Sequence, residues 1–208
     1  MKEQLNRIKA VTQQTNNKYL NTYELQAERR NGEVAPYIMT SRAQTVGELK
    51  VVTHDKRPDG VIIIAVYGEK RDKLVLIKQF RYPINDYVYE FPAGLVEANE
   101  DMFAAGIREV YEETGLEFEP RKAHEAYTKA YFTSTGMTDE CCGTIYGYCT
   151  GKPSNKFQEE SEDIEVVLAD REECKRILRE ENVAIKCAYM LMHFIHCKED
   201  PLGFLDEM

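Results

Sequence analysis

The amino-acid sequence predicts an α/β fold, with helices flanking a mixed β-sheet and a small antiparallel β-sheet at the N-terminus. Two apolar, β-branched runs, Val61 to Val66 and Leu74 to Phe80, flank the polar segment GEKRD and indicate a β-hairpin. The apolar residues then change to helical spacing from Asp101 to Thr114. Lys18 to Thr53 is separately rich in strand-like stretches, which favours a second, smaller sheet.

The C-terminal part continues this alternation of strands and helices. We expect three more strands and two helices, in chain order Tyr87 to Phe91, Thr144 to Cys149, Ile164 to Leu168, Arg171 to Glu181 and Val183 to Cys197. The tract from Pro153 to Asp163 is polar, and we expect it to be disordered.

The N-terminal segment contains three strand-like stretches, KYLNTYELQAE, APYIMTS and ELKVVT. Asn31-Gly32 lies between the first two and is a strong hairpin signal, because both residue types tolerate positive φ. We therefore expect two domains, an N-terminal β region at residues 1–55 and a main α/β domain at residues 56–208.

Composition narrows the function. With 208 residues, 43% of them hydrophobic, the chain can bury one full core, and its net charge of -9 argues against nucleic-acid or membrane partners that require a basic surface. A bound divalent metal reverses the sign of an acidic site, so metal-dependent phosphate chemistry stays compatible with this charge. The start, MKEQLNRIKAVTQQ, lacks the apolar stretch of a signal peptide, and no run is long enough to span a bilayer. We expect a soluble, cytoplasmic protein.

One segment, GLVEANEDMFAAGIREVYEETGL at Gly94 to Leu116, contains the residues best suited to catalysis. At about 100° per residue, Phe103, Ile107, Val110 and Thr114 share one helical face, which we expect to pack inward.

Three glutamates, Glu109, Glu112 and Glu113, should then lie on roughly the opposite side of the helix. They repel one another unless a cation sits among them, and hard oxygen ligands favour Mg²⁺ or Mn²⁺. Arg108 precedes Glu112 by four residues and can orient its carboxylate, while Gly115 supplies the left-handed position that ends a helix. The alternative is a solvated acidic face, the commoner explanation of an isolated E-x-x-E-E cluster.

The segment matches all nine fixed positions of the Nudix box, G-x5-E-x7-R-E-U-x-E-E-x-G-U, in which U is a bulky aliphatic residue. These positions are Gly94, Glu100, Arg108, Glu109, Val110, Glu112, Glu113, Gly115 and Leu116. The chain thus resembles the Nudix hydrolases, which implies a Nudix α/β/α sandwich and hydrolysis of a diphosphate linked to another group.

The resemblance also implies roles for single residues. Glu109, Glu112 and Glu113 would be metal ligands together with the carbonyl of Ala93, holding two or three Mg²⁺ or Mn²⁺ ions, with Glu113 and Arg108 counted among the catalytic residues. For Glu100 we favour another interpretation, an acid in the first helical turn that interacts with the helix dipole.

Two motifs upstream of the box resemble the ADP-ribose pyrophosphatase branch of this family, Q-x-R-x-P from Gln79 and E-x-P-A-G from Glu90. They imply that Arg81 faces the diphosphate and that ADP-ribose is cleaved to AMP and ribose 5-phosphate; the alternative for Arg81 is an exposed cation at a strand end. Many members carry S-P-G some distance past the box, whereas in this chain Ser134-Thr135-Gly136 comes a few residues later and lacks the proline. Another nucleoside diphosphate sugar such as GDP-mannose therefore stays open. A non-catalytic nucleotide-sensing domain, which Nudix folds sometimes become, is the alternative from a different class.

Two further groups of site residues follow from the same resemblance. In that branch the N-terminal sheet is exchanged across a homodimer and contributes to the adenosine pocket, which implies substrate-binding roles for Tyr19, Tyr37 and Arg42; packing is the alternative for the tyrosines. The loop TSTGMTDE resembles the segment that carries the general base, for which Glu140 is the first choice and Asp139 the second. This loop is alternatively a turn with solvated acids.

Overall fold

A computed structural model describes residues 6–159 and 162–207, and the chain divides into two compact units. The first comprises Met1–Pro58 with Ala130–Cys142, and the second comprises Asp59–Lys129 with Gly143–Met208. The first unit thus extends three residues beyond the expected boundary at residue 55 and includes a segment from the middle of the chain. Among the described residues, no helix combines the length and apolar character that crossing a bilayer requires.

Strands and helices are numbered in chain order. They are β1 (Ile8–Gln13), β2 (Asn21–Glu28), β3 (Val34–Ser41), α1 (Lys50–Thr53), β4 (Gly60–Tyr67), β5 (Lys73–Arg81), β6 (Asp86–Glu90), β7 (Ala93–Leu95), α2 (Met102–Thr114), β8 (Glu117–Arg121), α3 (Glu125–Thr128), β9 (Tyr131–Phe132), β10 (Cys141–Thr150), β11 (Ile164–Ala169), α4 (Arg171–Glu180) and α5 (Ile185–His196). Two short 3₁₀ helices occupy Val46–Glu48 and Gly203–Asp206.

The N-terminal unit contains a three-stranded antiparallel sheet in the order β1-β2-β3. The expected turn between β2 and β3 is confirmed, and Gly32 adopts a φ of 84° there, as such a turn requires. Strand β1 lies before the segment in which strands were expected. The sheet buries Tyr23, Leu25 and Met39 against Leu49.

The expected strand ELKVVT is wrong. This stretch contains the last residue of the first 3₁₀ helix, Glu48, and all of α1, although its two valines and threonine favour extended structure. Local hydrogen bonds explain the difference: Thr45 and Glu48 form a capping box, and the backbone N–H of Lys50 donates to Asp139 Oδ2 at 3.1 Å.

The second unit contains a mixed sheet in the order β11-β5-β4-β10-β8, with β6 added beside β5 and β7 beside β4. The expected hairpin of β4 and β5 is confirmed by the pairing of Val66 with Leu74 and of Tyr67 with Lys73. Strands β6, β10 and β11 and helices α4 and α5 also lie where they were expected. An α/β fold with a mixed sheet, flanking helices and a small antiparallel sheet is therefore confirmed.

Helix α2 has well-defined ends. The side chain of Asp101 accepts hydrogen bonds from the backbone N–H groups of Phe103 and Ala104, which caps the N-terminus. Gly115 ends the helix in the left-handed region with a φ of 69°. Between these ends, Ala105 and Val110 pack into the core formed by β4, β5, β8 and β10.

The prediction that Phe103, Ile107, Val110 and Thr114 form the buried face of α2 is partly wrong. Val110 and Thr114 are buried, but Phe103 is 39% exposed and Ile107 is 43% exposed, whereas Glu113 is only 2% exposed. The sheet approaches the helix along its small residues, since a Cβ on Gly106 would lie 2.2 Å from Ile145 Cδ1. The box glutamates therefore do not all face solvent, and one of them points into the packed side of the helix.

Candidate active site

Glu113 is a buried acid at the junction of α2 and β7. One of its carboxylate oxygens accepts a hydrogen bond from the backbone N–H of Ala93 at 3.2 Å. Burial, and then the charges of Glu109 and Glu162, raise the pKa of the Glu113 carboxyl well above its ordinary value. A cation beside this carboxylate would favour its charged form.

Glu109 lies against the first glycine of the box. A Cβ built on Gly94 would be 1.8 Å from Glu109 Oε1, so any larger residue would displace this carboxylate. Burial raises the pKa of Glu109, and the hydrogen bond from Arg108 opposes this effect. Strand β7 therefore touches two of the three expected metal ligands, one through Ala93 and one through Gly94.

Arg108 connects four of its neighbours. Its Nη1 donates to Glu109 Oε1 at 2.8 Å and to Glu112 Oε2 at 2.9 Å, and its Nη2 donates to the carbonyl of Leu95 at 3.2 Å. The expected pairing with Glu112 is thus confirmed. Glu100 does not lie in the first helical turn as expected; it precedes the helix cap and receives hydrogen bonds from Arg108 Nε and Nη2 at 3.1 and 3.0 Å. Arg108 is therefore fixed by a bidentate carboxylate on one side and orients two box glutamates on the other.

The donor set fits a hard divalent cation in its chemistry. Carboxylates and a backbone carbonyl are the ligands that Mg²⁺ and Mn²⁺ prefer. Within residues 6–159 and 162–207, no group of three or more His, Cys, Asp or Glu side chains is arranged to hold a metal. Arg108 accounts for part of this, because its guanidinium engages Glu109 and Glu112. Each of these carboxylates uses one oxygen for Arg108, so its second oxygen can serve as a ligand.

The two upstream motifs meet in a single ion pair. Arg81 Nε and Nη2 donate to the two carboxylate oxygens of Glu90 at 2.9 and 2.7 Å, so the arginine of Q-x-R-x-P is held by the first residue of E-x-P-A-G. These hydrogen bonds raise the pKa of Arg81, and the charge of Arg81 in turn acts on Glu113. Arg81 is thus an oriented cation near the box carboxylates rather than a free one at a strand end.

The tract after β10, expected to be disordered, packs on the box helix in residues 153–159. The backbone N–H of Ser154 donates to the carbonyl of Thr114 at 2.8 Å, and Phe157 stacks on Tyr111 with ring centroids 4.6 Å apart. Residues 160 and 161, which also belong to this tract, lie outside the described residues.

Glu162, at the end of this tract, is a site residue that sequence reasoning missed. Its charge raises the pKa values of Glu109, Glu113 and Arg81. Its chain neighbours lie beside these residues, because the backbone N–H of Phe80 donates to the carbonyl of Asp163 at 3.0 Å and Gln158 Nε2 donates to the carbonyl of Glu113 at 2.7 Å. The available signal was Phe157, an aromatic residue in an otherwise polar tract, together with two acids directly before β11.

The loop at residues 133–140, expected to contain the general base, belongs to the N-terminal unit and is fixed to β3. The backbone N–H of Thr40 donates to the carbonyl of Met137 at 2.8 Å, and Arg42 Nε donates to Glu140 Oε1 at 3.1 Å. Thr133 Oγ1 donates to the other oxygen of Glu140 at 2.9 Å. Asp139 instead caps α1, so it has a structural role that Glu140 lacks.

Tyr37 and Tyr19, both expected to bind the adenosine part of the substrate, do not line the same cavity. Tyr37 donates to the carbonyl of Gly136 at 2.6 Å and borders a cavity of about 280 Å³ within the N-terminal unit. That cavity is mainly apolar and is lined by Leu25, Tyr37, Met39, Val51, Phe132, Thr135, Met137, Thr138 and Asp139. Tyr19 does not line it; this tyrosine is 69% exposed, with Lys18 Nζ 4.7 Å from its ring centroid.

Comparison with known families agrees with the box geometry. The profile described as NUDIX domain matches residues 56–186, more than half of the chain. The chain belongs to the Nudix hydrolase family. As a Nudix hydrolase it is an enzyme, and members of this family generally depend on a divalent metal.

Two curated relatives match about two thirds of the chain. An ADP-ribose pyrophosphatase of Bacillus subtilis is 30% identical over 142 residues, which is 66% of this chain and 72% of the relative. A methanol dehydrogenase activator of Bacillus methanolicus is 26% identical over 145 residues, covering 69% of this chain and 75% of the relative. A solved structure described as an ADP compounds hydrolase superposes with a TM-score of 0.62 over 91% of this chain and 93% of its own, at 15% identity. That identity supports the shared fold alone.

Proposed function

We propose that this Nudix hydrolase cleaves the diphosphate of a nucleoside diphosphate sugar, with ADP-ribose as substrate and AMP and ribose 5-phosphate as products. The observation that carries the proposal is the link between Arg81 and Glu90, because it joins the two motifs that resemble the ADP-ribose pyrophosphatase branch beside the box carboxylates. The Bacillus subtilis relative, whose name gives that activity, supports it.

The reaction is attack of a water oxygen on phosphorus with cleavage of the P–O bond between the two phosphates. Bound Mg²⁺, or Mn²⁺ in its place, would lower the pKa of that water and neutralise charge on the leaving phosphate. We propose that Glu109, Glu112, Glu113 and the carbonyl of Ala93 hold two or three such ions. Arg81 then contributes a guanidinium whose orientation Glu90 fixes in advance, so it can bind phosphate oxygens.

Three acids compete for the role of general base, which takes the proton of the attacking water. Glu162 has the stronger support, because it is hydrogen-bonded to Glu159, and the adjacent Gln158 donates to the carbonyl of Glu113 at 2.7 Å. Glu140, the choice from the sequence, is the alternative; its carboxylate is occupied by Arg42 and Thr133. Asp139 is the weakest of the three, because it caps α1.

A substrate comparison tests the proposed activity. With Mg²⁺ present, we expect ADP-ribose to be converted to AMP and ribose 5-phosphate with a kcat/KM at least about tenfold above that for GDP-mannose, and EDTA to abolish turnover of both. Chromatography of the products measures kcat/KM for each substrate and the turnover that remains in EDTA. Preference for GDP-mannose would leave a Nudix hydrolase with another substrate, and no release of any monophosphate from either compound would contradict the proposal.

Replacing each acid by its amide identifies the base. We expect Glu162→Gln to lower kcat for ADP-ribose by about 10² to 10⁴, the usual contribution of a positioned general base, with little change in KM. Glu140→Gln is the matched variant and should retain kcat within about tenfold. The reverse ranking in steady-state kinetics would assign the role to Glu140.

We further propose that the N-terminal sheet forms a homodimer and contributes to the adenosine pocket. Val34, Tyr37 and Ile38 are exposed on β3, and Ile38 has a relative exposure of 55%. A small sheet with apolar side chains on its outer surface gains stability when a second copy covers them. Arg42 and Tyr19 are the other expected contributors. The cytoplasmic location and the absence of nucleic-acid or membrane partners are part of this proposal and rest on the sequence alone.

Light scattering on the full chain should give a mass near twice 24.1 kDa. Tyr37→Ala should raise KM for ADP-ribose more than it lowers kcat, because stacking on the base contributes similarly to the ground and transition states. Tyr19→Ala should also raise KM, because Tyr19 is proposed as a contributor to the same pocket. A monomer with unchanged KM in Tyr37→Ala would overturn both parts of the proposal.

A further inference from the structure

Three contacts attach the segment 153–159 to the C-terminal end of the box helix. Besides the hydrogen bond of Ser154 and the ring stacking of Phe157 on Tyr111, Gln158 Nε2 donates to the backbone carbonyl of Glu113 at 2.7 Å. The side chain of Ser154 also lies close to Gly115, since a Cβ on that glycine would be 2.7 Å from Ser154 Cβ. The segment therefore follows the last turn of α2 closely.

Two hydrogen bonds connect Glu162 to Glu159, which lies just beyond these contacts. The backbone N–H of Glu162 donates to the carbonyl of Glu159 at 3.0 Å, and the Glu162 carboxylate accepts from the backbone N–H of Glu159 at 3.3 Å. Glu159 directly follows Gln158 in the chain. Phe157 and Gln158 thus place Glu159, and Glu159 holds Glu162 through these two hydrogen bonds.

Packing of the hydrophobic core does not explain the stacked pair. Phe157 is 40% exposed and Tyr111 is 44% exposed, so both rings remain largely accessible to solvent. Removing a half-exposed ring costs far less core burial than removing a buried one. Phe157 instead connects α2, which carries the box glutamates, to the segment 153–159, and Glu162 is hydrogen-bonded to the end of that segment.

We propose that Phe157 and Gln158 are positioning residues that act through Glu162. Phe157 anchors the segment on Tyr111, and Gln158 ties it to the backbone of Glu113, so the carboxylate of Glu162 is held beside the box carboxylates. This inference rests on the proposed role of Glu162 as general base. It adds a determinant of the reaction that lies outside the Nudix box and outside both upstream motifs.

A double-mutant cycle between Phe157 and Glu162 tests the inference. Phe157→Ala should lower kcat for ADP-ribose about tenfold and leave KM within about twofold, because a misplaced base lowers the rate without removing substrate contacts. In the Glu162→Gln background the same change should lower kcat by less than about twofold, since the group it positions is already lost. Phe157→Tyr keeps a stacking ring and should restore kcat to nearly the wild-type value.

The controls separate positioning from stability. Phe103→Ala removes another half-exposed ring from α2 and should leave kcat unchanged, and the melting temperatures of all variants are measured alongside. If Phe157→Ala proves unstable, Gln158→Ala enters the same cycle with the same expected pattern. Equal losses from Phe157→Ala in both backgrounds, or a loss in Phe157→Tyr as large as in Phe157→Ala, would overturn the inference. Near-wild-type turnover of Glu162→Gln would instead remove the general base on which it rests.

Discussion

The structure of the second unit depends on bringing several carboxylates together with little solvent. Neighbouring carboxylates repel one another strongly in a medium of low dielectric. Burial therefore raises the pKa of Glu113 well above that of a solvated glutamate. The arrangement persists because each acid has a partner. Glu113 has the backbone of Ala93, Glu109 and Glu112 share Arg108, and Glu100 holds Arg108 in place. A divalent cation would complete this balance.

Several features that look unrelated in the sequence serve this one cluster. Gly94 leaves the space that the Glu109 carboxylate fills, and Gly115 ends α2 directly after the last box acid. The small residue Gly106 lets the helix approach Ile145 in the sheet closely enough to bury Glu113. Gly94 and Gly106 are required because another group lies where a Cβ would be, and Gly115 is required because its backbone is left-handed. All three lie next to the box carboxylates or on the helix that carries them.

The box and its helix were predictable because their signals are local. Apolar spacing, the cap at Asp101 and the terminal glycine all lie within one segment, and the pairing of Arg108 with Glu112 follows from their separation of four residues. The buried face of α2 was not predictable from apolar spacing. The sheet selects that face by shape, so Phe103 and Ile107 stay exposed while the charged Glu113 is enclosed.

Contacts between distant parts of the chain explain the other differences. The stretch ELKVVT has strand-forming residues, yet it forms α1, whose first residue donates a hydrogen bond to Asp139, 89 residues further along the chain. The tract after β10 is polar enough to suggest disorder, but Phe157 and Gln158 give it specific partners on α2. Phe157 and the acids before β11 mark this tract in the sequence, but its attachment to the box helix follows only from the fold.

The central claim is that the buried carboxylate cluster takes up a divalent cation, and direct titration with Mn²⁺ followed by electron paramagnetic resonance tests it. Wild-type protein should bind Mn²⁺ and reduce the signal of the free ion, while Glu113→Gln should bind at least about tenfold more weakly, as expected on loss of a metal ligand or its immediate support. Glu125→Gln, an exposed acid of α3, is the matched control and should bind like the wild type. Unchanged Mn²⁺ affinity in Glu113→Gln would contradict the account.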